Sequence, residues 1–94
     1  MNEEEVAAQK RIEELEKEFE TLSAEIFFAR DSWQYQKSKV EDLKSDRQST
    51  KTAEEELTIR EKVYSDRKIK IETRQQEIER EIKKLNQEFP NLQE

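Results

Sequence analysis

The 94-residue sequence has no glycine, no cysteine and no histidine, and its single proline is Pro90. Each absence closes off a class of answers. Without His or Cys, the usual general base and the strongest nucleophile of enzyme sites are missing. No catalytic residues and no cofactor or small-molecule substrate are therefore expected. Without Gly there is no glycine loop to cradle a phosphate, and no segment has the spacing of a calcium loop, so no metal is expected. The missing cysteines mean that no disulfide is needed, which fits a reducing compartment. Apolar residues are scarce too. The longest run, Ile26-Phe27-Phe28-Ala29, is far too short to cross a bilayer, and no signal-peptide pattern opens the chain. The expectation is a soluble, cytoplasmic, non-enzymatic protein with no membrane partner.

Leu, Ile, Val and Phe make up only 20 of the 94 residues, while 45% are charged and the net charge is −6. One isolated chain of this composition buries little apolar surface to set against the entropy of ordering its backbone. Order in the sequence is what separates it from a disordered chain. Ala, Glu, Lys, Leu and Arg total 49 residues, a composition typical of long helices when a heptad period accompanies it.

Such a period is present. With Ile12 at position a and Leu15 at d, the core series reads Ile12, Leu15, Phe19, Leu22, Ile26, Ala29, Trp33, Gln36, Val40 and Leu43. It resumes at Leu57, Tyr64, Ile71, Ile78, Ile82, Leu85, Phe89 and Leu92, with Ala8 extending it backwards. Leu43 and Leu57 lie two whole heptads apart, so the phase is unbroken. A strict heptad repeat implies a left-handed coiled coil. The chain reads as one all-α coiled-coil segment over 1–94: well packed over 3–45, polar-centred and weaker over 46–76, packed again over 77–89, with a tail at 90–94. Residues 44–75 are expected to be the mobile part and 8–43 the stable part.

The ends are legible. Asn2 with Glu5 matches a capping box, and Glu3 and Glu4 suit the positive end of a helix dipole. Pro90 stops the helix and restricts Phe89, so helix is predicted from about residue 3 to about 88. The middle, residues 44–52, has no apolar side chain, and Arg47, Thr50 and Glu54 fill its core slots. Thr52 with Glu55 matches a second capping box, which allows an antiparallel hairpin broken near 46–52. Against it stand the missing Gly and the unbroken phase. Asn, the other residue that tolerates positive φ, occurs only at Asn2, Asn86 and Asn91. Flanking charges add to this. A parallel, in-register homodimer pairs Arg11 with Glu16, Glu25 with Arg30, Asp46 with Lys51, Arg67 with Glu72 and Arg74 with Glu79, with only Lys39–Lys44 repulsive. A fold near residue 48 gives attractive Glu25–Arg74 and Arg11–Glu88. It also opposes Glu16 to Glu79, Glu18 to Glu81, Lys39 to Arg60 and Lys44 to Lys51. Each exposed pair contributes only about 0.3–0.5 kcal/mol, so the sum ranks arrangements and does not drive folding. It favours the parallel homodimer, with Ile12 through Phe89 as the dimer core. The hairpin is the alternative.

Function is then sought on the outer faces. Phe28 and Tyr35 share position c, seven residues apart, with Phe27 beside them at b; Ile59 and Val63, four apart, make a second outward pair. Trp33, at a, is bulky for a two-stranded seam. Phe27, Phe28, Tyr35, Ile59 and Val63 are the candidate partner-binding residues. Residues 60–74 carry Arg60, Lys62, Arg67, Lys68, Lys70 and Arg74 against three acids. An overall charge of −6 opposes nucleic-acid binding, which stays a minor alternative. The expected role is a dimerising or scaffold segment, cytoskeletal or tethering in type, that joins protein chains. An adaptor or chaperone-like hairpin that receives a client helix is the alternative.

Overall fold

A computed structural model describes residues 2–93; Met1 and Glu94, the outermost positions of the expected segment and tail, lie outside the described residues. Helix α1 spans Glu3–Ser45 and helix α2 spans Lys51–Glu88, followed by a short 3-10 turn, α3, at Pro90–Gln93. The two long helices pack against each other as an extended hairpin measuring 68 × 18 × 15 Å. Among the described residues there is no strand.

Three of the predicted boundaries hold. Asn2 caps α1, its Oδ1 accepting from Glu5 N–H at 2.8 Å, with Glu3, Glu4 and Glu5 in the first turn. α1 ends at Ser45, where the hairpin alternative puts its break. α2 ends at Glu88, and Phe89 leaves helical geometry (φ −127°, ψ 72°), as the residue before a proline does.

The chain takes the hairpin alternative and not the continuous helix of the parallel rod. The absence of Gly does not prevent the reversal, because Arg47 itself adopts the left-handed conformation at φ 56°. Arg47 N–H donates to Lys44 O at 3.1 Å and Gln48 N–H to Leu43 O at 2.9 Å. These two bonds make a Schellman motif, which satisfies carbonyls that the helix end would otherwise leave open. The second capping box does not form: α2 begins at Lys51, Thr50 is its N-cap with no side-chain cap bond, and Thr52 lies inside the first turn.

The flanking charges that counted against a hairpin are in a different register. Glu18 meets Arg74 and Glu81 meets Arg11, so α2 sits one heptad away from the position that opposed Glu18 to Glu81. Arg60 reaches the Ser32 carbonyl at 3.4 Å, away from Lys39, and Lys44 pairs with Glu54 at 3.3 Å. The numbers of the facing residues Arg11–Glu81, Glu18–Arg74 and Ser32–Arg60 each add to 92, which puts the centre of the reversal at residue 46.

The core expected for a dimer is used within one chain. Leu15, Val40, Ile71 and Ile78 are buried, and Ile12, Phe19, Leu22, Ile26, Trp33, Leu43, Leu57, Tyr64, Ile82, Leu85 and Phe89 are half-buried. None of these fifteen is exposed. Of the polar core slots, Glu54 is exposed, a correction to the continuous heptad core, and the next two a positions, Glu61 and Lys68, are exposed as well. Early in α2 the inward positions are Ala53, Leu57, Arg60 and Tyr64, a face turned from a/d towards d/g. An antiparallel partner on a loop does not force α2 to keep the phase of α1. Turning α2 exchanges carboxylates for Ala53 and for the aliphatic stem of Arg60, which leaves the charged head near water.

Candidate protein-interaction faces

Two edges flank the seam, and each has its own chemistry. On one edge run the g positions of both helices. Here Arg11 Nε and Nη2 donate to the Glu81 carboxylate at 3.0 and 3.2 Å, and Arg74 Nε and Nη2 donate to Glu18, the latter at 2.9 Å. Hydrogen bonding to Arg74 holds the Glu18 carboxyl below the usual carboxylate range. The bond to Glu18 raises Arg74, and the bond to Glu81 raises Arg11. These pairs bracket Leu15 and Ile78, both 0% exposed, so the open end of the hairpin has an apolar layer locked between two Arg–Glu contacts.

Further along this edge, Phe28, Ala29, Ser32, Arg60, Val63 and Arg67 line a shallow groove between the helices. The hairpin thus brings Phe28 and Val63 together, although 35 positions separate them in sequence. Phe28 is 68% exposed and Tyr35, two turns on along the same stripe, 66%. Ile59 is 61% exposed one turn from Val63, itself 40% exposed. The sequence pattern marked these four residues, and it marked Arg60 and Arg67 only as part of the basic stretch 60–74, not as walls beside Phe28 and Val63. The arginines' shared g position was the signal, and it becomes readable only once the helices are known to be antiparallel in this register.

Phe27 belongs to the other edge. It lines a second groove with Ile26, Arg30, Tyr64, Lys68 and Glu72, and its ring packs edge-on against Phe28 at 5.9 Å between centroids. Arg30 lies over Phe27 at 5.7 Å. Trp33 and Tyr64 stack across the seam at 5.5 Å and 6°, with Lys37 over Trp33 and Lys68 over Tyr64. The bulk of Trp33 is taken up at the seam edge, next to the small buried Ala29 and the buried Gln36. The five candidate residues therefore divide between two edges, with the Phe27–Phe28 contact as the link.

Gln36 and Gln75 cross the seam as polar pins. Gln36, 2% exposed, donates from Nε2 to Ala53 O at 2.9 Å. Gln75 donates to Phe19 O at 3.2 Å and to Ser23 Oγ at 2.9 Å. The basic stretch 60–74 is in part committed within the chain, since Arg74 holds Glu18 and Glu77 and Arg60 holds Glu56. Among the described residues, no group of three Asp and Glu side chains is placed to hold a metal ion. No described helix is long and apolar enough to cross a membrane. Set beside known protein families, curated proteins and solved structures, the chain matches none.

Proposed function

We propose that this chain is a non-enzymatic interaction hairpin that joins protein chains by docking a helix of another protein along the Phe28–Val63 edge. One observation carries the reading: a chain of mean hydropathy −1.29 leaves Phe28, Tyr35, Ile59 and Val63 outside its own seam on one edge. Single exposed apolar residues are ordinary, but a grouped patch marks an interaction surface. Its shape, a groove between two helices, suits an amphipathic helix that lays an apolar stripe into it. Arg60 and Arg67 line that groove, so the complementary helix carries acidic side chains beside its apolar stripe.

Site-specific photo-cross-linking from Tyr35 tests this. The expected product joins Tyr35 to an apolar helix with acidic flanks in another protein, and Phe28→Ala abolishes it. Identical products from a probe at Glu41, or products that persist in Phe28→Ala, refute the docking face.

A further inference from the structure

We infer that a second copy of this chain is also a partner, and that two copies associate by exchanging α2 across an opened hairpin. The exchanged form contains two continuous helices packed antiparallel. In it, α1 of each copy meets α2 of the other through the contacts that close the hairpin.

Four features of the chain point to this. First, a loop between antiparallel helices places no demand on heptad spacing, yet in sequence the d positions Leu43 and Leu57 lie two whole heptads apart, the spacing a continuous helix needs, even though the hairpin turns the start of α2 off that phase. Second, nothing between Glu3 and Glu88 forbids helix: that span has neither Gly nor Pro. Third, the reversal is made by Arg47 in the left-handed region, a conformation unfavourable for a side chain with a Cβ. Straightening the chain relieves it in both copies. Fourth, the facing pairs that add to 92 are centred on residue 46, so a two-fold axis through that position keeps their register. Glu18–Arg74, Arg11–Glu81 and the Arg60–Ser32 bond become contacts between copies.

The new contact is confined to the former loop. Its polar segment, residues 44–52, crosses its own symmetry mate, and the g ladder there brings Asp46 towards Asp46 of the second copy. That like-charge meeting opposes exchange and keeps the hairpin dominant in dilute solution. Short hinge segments under strain are where exchange of identical elements arises.

The experiment is to refold the full chain at about 1 mM and measure mass by sedimentation and length by small-angle X-ray scattering. The expected dimer is about 130 Å long, from ~1.5 Å per helical residue, against 68 Å for the hairpin. Arg47→Gly relieves the left-handed residue and weakens a continuous helix, so it is expected to weaken dimerisation at least ~10-fold. Asp46→Ala removes the like-charge contact and favours helix, so it is expected to strengthen it. A mass that stays monomeric in wild type and in Asp46→Ala overturns the proposal. So does a dimer of about 70 Å, which is two closed hairpins side by side, and so does dimerisation unchanged by Arg47→Gly. Phe28 and Tyr35 lie outside the exchanged seam, so this test and the cross-linking test fail independently.

Discussion

Arg74 on α2 grips the Glu18 carboxylate on α1 with both Nε and Nη2, across 56 positions of sequence. With Arg11 and Glu81 two turns away, this contact selects one register among heptad-spaced alternatives. Exposed ion pairs add little net stability, but they discriminate when the apolar layers repeat. We predict that Glu18→Arg and Arg74→Glu each lower the melting temperature, and that the double exchange recovers most of the loss. Additive losses in the double variant mean that the pair does not set register.

Acidification reads the same contact. The folded-state pKa of Glu18 is depressed by its hydrogen bond to Arg74, so its contribution is present above the unfolded value, near ~4.3, and is lost as pH falls through the lower folded value. Arg74 and Arg11 are raised, so their contributions hold below the ordinary arginine value and do not titrate in this window. Thermal melts from pH 7 down to pH 3 are expected to show the Glu18→Gln variant losing less stability than wild type. Equal losses contradict the assignment.

Gln36 is the polar pin at the closed end. It is buried and donates to Ala53 O, so Gln36→Ala removes a buried hydrogen bond across the seam, at a cost of about 0.5–1.5 kcal/mol. Exposed Gln34, on the same helix, is the control, and Gln34→Ala is expected to stay within about 0.5 kcal/mol. Urea denaturation separates the two.

Arg47 gives the opposite sign. Its φ of 56° suits glycine better than any residue with a Cβ, so Arg47→Gly is expected to stabilise the hairpin by about 0.5–1 kcal/mol. Arg47→Val, β-branched at the same φ, is expected to destabilise it. A neutral or destabilising glycine in dilute solution contradicts the Schellman reversal.

These residues also show what the sequence disclosed. The heptad series from Ile12 to Phe89 predicted the inward apolar side chains except Ala53, which lies at g, and Asn2 and Pro90 predicted both outer helix ends. These are local signals, carried by side-chain period and backbone chemistry. The direction of pairing was not legible, because it turned on Arg47 accepting a conformation usually left to Gly or Asn. Register was hidden for a related reason. Loop length sets the pairing register, and a shift of one heptad turns the repulsion of Glu18 and Glu81 into the attraction of Glu18 to Arg74. The exposed Phe28, Tyr35, Ile59 and Val63 were marked by their outward positions. That Phe28 and Val63 share a groove with Arg60 and Arg67 followed only from the antiparallel fold.

The hairpin itself is tested most directly by one distance. Spin labels at Thr21→Cys and Lys70→Cys, both exposed on the same edge, are to be measured by double electron–electron resonance at low micromolar concentration, with labelled chains diluted into unlabelled ones. Helix axes ~8–10 Å apart predict a label separation of about 20–25 Å within one chain. A separation of about 75 Å, the span of those residues in one continuous helix at ~1.5 Å per residue, contradicts the account.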